Sequence, residues 1–128
     1  MKVNPACPCG SGRAYETCCG RFHAGESAPD AETLMRSRYS AFVLGREDYL
    51  RATWHPEKRP GSLDLDASPS PKWLGLTVKA YMPLDETHAT VEFVARYKLN
   101  GRAFRLHETS RFERVDGLWL YVDGEIHE

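Results

Sequence analysis

The sequence predicts an α+β domain: helices first, then a four-stranded antiparallel sheet, with a small cysteine knuckle in front of both. Three observations carry this reading. All four cysteines of the 128-residue chain fall between Cys7 and Cys19. Apolar residues then recur at helical spacing, and from Trp73 onward the period shortens to two. Asn100-Gly101 and Asp116-Gly117 supply two-residue hairpin turns between alternating strands.

The knuckle comes first. Pro5 to His23 reads PACPCGSGRAYETCCGRFH, a C-x-C pair and a C-C pair separated by eight residues. Pro8 fixes φ between the first two cysteines, and Gly10 and Gly12 can adopt the positive φ that a tight knuckle requires. A helical turn through Ala14 to Thr17 then delivers the second pair. Four sulfurs converging in this way suit a tetrahedral zinc ion, with bonds of about 2.3 Å. Four thiolates around a divalent cation keep two negative charges, which the flanking Arg13 and Arg21 would partly offset. Other readings stand beside this one. Cys18 and Cys19 are adjacent and do not easily bond to each other, and no secretory leader is evident to favour disulfides. A dithiol redox pair ordinarily uses C-x-x-C. His23 is an alternative to Cys19 as fourth ligand, because neighbouring cysteines strain a tetrahedral shell.

Size and composition bound the rest. The chain is long enough for one domain and an appendage, divided here as residues 1–25 and 26–128. No apolar run reaches the roughly 20 residues of a membrane helix, and the N-terminus lacks a secretory apolar core, so a cytoplasmic location is expected. A formal net charge of −1 argues against a dedicated nucleic-acid binder.

Asp30 is placed to cap a helix whose apolar side is Leu34, Met35, Tyr39, Ala41, Phe42 and Val43, with Gly45 as its stop. Arg36 and Arg38 flank Ser37. The plain expectation is a solvated basic side; the alternative is that Arg38 enters the interior to meet a carboxylate. A second short helix spans about Arg46 to Thr53 and ends in Trp54-His55-Pro56. Trp54 is assigned to the core. His55 is a candidate general base, although a helix-end histidine bonded to the backbone is the commoner outcome. Residues 57–72, rich in proline, form a long loop.

Four strands follow, at about 73–82, 88–99, 102–115 and 118–123. Regular pairing from the two turns places Tyr97 opposite Phe104, Phe93 opposite Glu108, Phe112 opposite Tyr121 and Ser110 opposite Asp123. One face is therefore aromatic but interrupted by Glu108, Ser110 and Asp123; a bulge would change the assignment beyond it. A buried carboxylate needs a partner. Either Glu108 and Asp123 pair with a helix arginine, or they form the polar part of a ligand pocket, with Glu108 or Asp123 as base and Tyr39, Tyr97, Ser110 or His55 orienting the ligand. His107 lies on the opposite face.

The stretch CPCGSGRAYETCCG resembles the SEC-C motif, a small zinc module also found on the translocase motor SecA. The resemblance implies Cys7, Cys9, Cys18 and Cys19 as ligands, with Cys or His allowed at the last place. In SecA the motif contacts a chaperone, which implies a docking role. LMRSRYSAF, DYLRATWHP, HETSRF and GLWLYVDGE are similar to the YchJ-like family, in which a SEC-C motif joins a cone-shaped nuclear transport factor 2-like domain. That resemblance covers nearly the whole chain and implies no settled activity. Relatives of the fold include isomerases, dehydratases and scaffolds. Two functions are expected. In the first, the closed four-sulfur shell makes zinc structural, and the knuckle presents Arg13, Tyr15, Arg21 and Phe22 to a protein partner. In the second, the cone binds or transforms a small molecule.

Overall fold

The computed structural model describes residues 6–61 and 71–127. The part of the proline-rich loop between residues 62 and 70 lies outside the described residues. A 3-10 turn at Tyr15–Thr17 leads into helix α1 (Cys19–His23), followed by α2 (Ala31–Leu44) and α3 (Glu47–Ala52). Strands β1 (Lys72–Pro83), β2 (His88–Leu99), β3 (Arg102–Val115) and β4 (Leu118–His127) form one antiparallel sheet in chain order. Both turns work as their residues predict, with Asn100 and Asp116 each at φ 51° before glycines near φ 80°. The expected pairs Tyr97–Phe104, Phe93–Glu108 and Phe112–Tyr121 all form.

The sheet curves because its register slips. Irregularities fall between Trp73 and Gly75, between Val78 and Ala80, and between Arg111 and Phe112. The last of these changes a face. Past Tyr121, Asp123 pairs with Arg111 rather than Ser110, and Ser110 meets Gly124 instead. The fourth strand also runs on to His127, beyond the Asp123 expected from its alternation.

Helix α2 lies across the concave side. Asp30 Oδ1 accepts from the Thr33 N–H at 2.7 Å, and Gly45 ends the helix at φ 72°. Leu34, Met35 and Tyr39 pack against Ala89, Val91, Phe93, Ala95 and Phe112 of the sheet. The other side of α2 is buried as well, and it is polar. Ser37 and Ser40 are fully buried and face the knuckle and α3. Ser37 Oγ donates to the Leu34 carbonyl at 2.8 Å, so the Tyr49 hydroxyl at 2.7 Å must be its donor.

His23 completes this junction. Its Nε2 lies 2.8 Å from the Ser37 carbonyl, which can only accept, so Nε2 carries the proton. Nδ1, 2.6 Å from the Tyr15 hydroxyl, is then the acceptor. The ring is thus held neutral, and burial depresses its pKa below 6.5. Above about pH 7 the folded and unfolded forms are both neutral and the contacts contribute fully. As pH falls through 6.5 the unfolded chain takes up a proton that the folded ring resists, and stability is lost. His23→Gln should cost about 1–3 kcal/mol near pH 8. In urea unfolding the gap between wild type and variant should narrow towards about pH 5.5, where proton uptake by the cysteines is common to both proteins. An unchanged gap would contradict this role.

Candidate metal centre and cone cavity

The sulfurs of Cys7, Cys9, Cys18 and Cys19 all lie within 4.8 Å of one another. A tetrahedron with 2.3 Å arms has corners about 3.8 Å apart. The Cys9–Cys18 separation of 3.6 Å fits that figure and is far too long for a disulfide. The backbone explains the convergence. The Cys7 N–H donates to the Arg13 carbonyl at 2.9 Å, and Gly10 and Gly12 turn the loop at φ 81° and 86°. Gly20 is needed for a different reason: a Cβ there would stand 2.7 Å from the Tyr15 carbonyl oxygen. Outer contacts hold the ligating atoms. Ser11 Oγ lies 3.1 Å from Cys18 Sγ, Ser40 Oγ lies 3.5 Å from Cys7 Sγ, and Arg36 Nη1 donates to the Cys9 carbonyl at 3.2 Å. The donor set is thus compatible with one metal ion. Cys19 lies within the cluster, and His23, with both ring nitrogens engaged elsewhere, lies outside it.

Of the four residues expected to meet a partner, Arg13 and Arg21 are exposed, Tyr15 is half-buried and Phe22 is buried. Phe22 is 4% exposed, because α1 lays it against the domain, and Tyr15 is committed to His23. Arg13 is exposed; Arg21 pairs with Glu26 at 3.6 Å and lies over the Phe22 ring.

The second site is inside the cone. A cavity of about 260 Å³ is walled by Met35, Tyr39, Phe42, Trp54, Trp73, Phe93, Ala95, Leu106, Phe112 and Tyr121, with Arg38 and Glu108 as its charged members. The solvated basic side expected of α2 does not form. Arg38 is 5% exposed, and burial pushes its pKa down to about 10. Nη1 donates at 2.7 Å to both the Leu50 carbonyl and Thr53 Oγ1, and the guanidinium lies over the rings of Tyr121 and Trp54 at 4.6 and 5.0 Å. Burying an unpartnered guanidinium costs several kcal/mol, so these contacts are what allow it to enter.

Glu108 does not pair with either arginine. Its Oε2 accepts from Ser110 Oγ at 2.6 Å and from the Tyr121 hydroxyl at 3.4 Å. Burial, and then the Glu108 charge, raise the Tyr121 pKa, which keeps its hydroxyl a donor. Gly124 makes room for this carboxylate, since a Cβ at Gly124 would overlap it. The other acid–base candidates lie elsewhere. Asp123, carried to the outer face by the slip beside Phe112, pairs with Arg111 at 2.5 Å. His55 Nδ1 accepts the Glu57 N–H at 3.2 Å, and the His55 backbone N–H donates to the Tyr121 carbonyl at 2.8 Å. Of the proposed orienting residues, Tyr39 lines the cavity, Ser110 steadies Glu108, and Tyr97 stacks on Phe104.

Trp73 and Gly124 are the contributors the sequence reading missed. Gly124 had one signal, a glycine interrupting an alternating strand, which often marks close approach of another group. Trp73 had none, because its wall position depends on how far the sheet curls.

Comparison with known proteins agrees with this architecture. Residues 30–124 match the YchJ middle NTF2-like domain, and residues 4–21 match the SEC-C motif. A UPF0225 protein of Bordetella pertussis is 59% identical over 98% of this chain and 99% of its own length. One from Cupriavidus metallidurans is 62% identical over 95% and 89%. The solution structure of a SEC-C motif containing protein from Rhodopseudomonas palustris superposes with a TM-score of 0.84 at 36% identity, covering 98% of this chain and all of the other. A crystal structure of a SEC-C motif containing protein from Psychrobacter arcticus gives 0.78 at 34% identity, over 98% and 80%. The chain therefore belongs to the YchJ-like UPF0225 family, with a SEC-C motif leading into an NTF2-like domain.

Proposed function

We propose that the protein is a zinc-stapled, small-molecule-binding domain. Zinc would be held by Cys7, Cys9, Cys18 and Cys19, and its role would be to cross-link the knuckle and brace it on α2. A shell of four sulfurs leaves no place for water or substrate, which supports a structural role over a reactive one. The recognition chemistry belongs to the cone. One observation carries this: the cavity keeps Arg38 and Glu108 as lining residues, each held by its own partners and not by the other. A cone serving only as a scaffold would gain by closing that space with apolar side chains. Only Glu108 of the three acid–base candidates reaches the cavity, so binding is favoured over catalysis.

A second reading keeps an interaction role for the knuckle. A hollow of about 420 Å³ is lined by Arg13, Arg21 and Arg36 together with Cys18 and Cys19, and the guanidinium groups at its rim would be the points of contact for a protein partner. In that case Arg13→Glu with Arg21→Glu should abolish a salt-sensitive cross-linked partner without lowering thermal stability. An unchanged set of cross-links would remove this reading.

The metal assignment predicts one zinc per chain by elemental analysis. Cys9→Ser, or removal of the metal with a strong chelator, should lower the melting temperature and release the contacts between knuckle and α2. A metal-free chain of undiminished stability, or one containing iron instead, would contradict it. For the cone, the three indole N–H resonances give a direct reading. Trp54 and Trp73 line the cavity and Trp119 does not. Small aromatic compounds of about ten non-hydrogen atoms should move the first two signals and leave the third in place. If no such compound moves them, the binding reading fails.

A further inference from the structure

The cone's own groups narrow the class of molecule it takes, given the small-molecule reading on which this rests. Size is the first constraint. A dry cavity of about 150 Å³ accepts benzene, so the 260 Å³ here holds about ten non-hydrogen atoms, a single or fused ring. Shape is the second. Seven of the twelve lining residues are Phe, Tyr, Trp or their like, namely Tyr39, Phe42, Trp54, Trp73, Phe93, Phe112 and Tyr121, which favours a flat π-surface.

Charge is the third and most selective constraint. Arg38 and Glu108 bring opposite charges to one apolar space. The Tyr121 ring lies under the guanidinium while its hydroxyl reaches the carboxylate, so both charges border the same aromatic ring. Among the described residues, the hydrogen bonds of Arg38 are made through Nη1 and those of Glu108 through Oε2. Guanidinium N–H groups and carboxylate Oε1 therefore remain without partners among the described residues. The Trp54 indole N–H is buried with no partner either. A ligand with a net charge would leave one of the two charges unmatched in a desolvated site.

From these constraints we infer that the cone binds a flat, net-neutral heteroaromatic molecule that offers an acceptor to Arg38 and an N–H donor to Glu108, the pairing presented by a cyclic amide edge. Two opposed charges on the protein select against both organic anions and organic cations of the same size.

Four probes test it by the indole N–H signals of Trp54 and Trp73, with Trp119 as internal control: 1-isoquinolinone, its N-methyl derivative, benzoate and benzamidine. The lactam should bind most tightly. N-methylation removes one hydrogen bond to a carboxylate and should weaken binding about tenfold or more. Glu108→Leu should produce a similar loss. So should Gly124→Ala, whose Cβ displaces the Glu108 carboxylate while leaving the aromatic walls in place and which is expected to keep a near-native melting temperature, separating lost recognition from lost folding. Equal binding of the N-methyl compound would overturn the donor match to Glu108. Tighter binding of benzoate or benzamidine at the same two tryptophans would overturn net neutrality while leaving the cone a small-molecule site. Entry of none of the four would remove the small-molecule reading itself.

Discussion

A guanidinium enters a protein interior only where acceptors and aromatic faces wait for it, and the cone of this protein is arranged around that condition. Arg38 leaves α2 on the side facing the sheet. The end of α3 supplies Leu50 O and Thr53 Oγ1, and Trp54 and Tyr121 cover the planar faces. The segment after α3 is itself fastened to β4, since Thr53 O accepts from the Tyr121 N–H at 2.8 Å and the His55 N–H donates back to the Tyr121 carbonyl at 2.8 Å. The buried charge thus ties two helices and the last strand to one point.

The knuckle acts on the same helix from behind. Ser37, next to Arg38 in sequence, receives His23 on its carbonyl and Tyr49 on its hydroxyl, and Ser40 approaches Cys7. A module too small for a core of its own gains one by borrowing the polar side of α2, and a metal bound there would brace that side. The helix that carries Arg38 is therefore fixed on both sides. This connects the cysteine cluster to the cone through hydrogen bonds alone.

Much of this was legible in the sequence because it rests on local rules. The cysteine spacing, Gly10 and Gly12, the Asp30 cap, the Gly45 stop and the two Asn/Asp-Gly turns each act within a few residues. The turns alone set the β2–β3 register and placed Glu108 on the aromatic face. Illegible features were those decided at a distance. The slip beside Phe112 moved Asp123 outward, as two-residue alternation cannot foresee. The burial of Phe22 depends on where α1 docks. Arg38 and Arg36 look alike in the chain, and only packing against α3 separates the one that enters from the one that bridges Glu32 and Cys9. The open cavity follows from the curl of the sheet, which no single residue announces.

The separation of Arg38 and Glu108 is the point on which the account turns, and a double-mutant cycle on the stability of the full chain measures it most directly. Arg38→Met, Glu108→Gln and the double variant would be compared by urea unfolding. Charges held apart, each by its own partners, predict nearly additive losses, with a coupling energy below about 1 kcal/mol. A coupling of about 3 kcal/mol or more would mean a buried ion pair closing the cone, and would contradict the account.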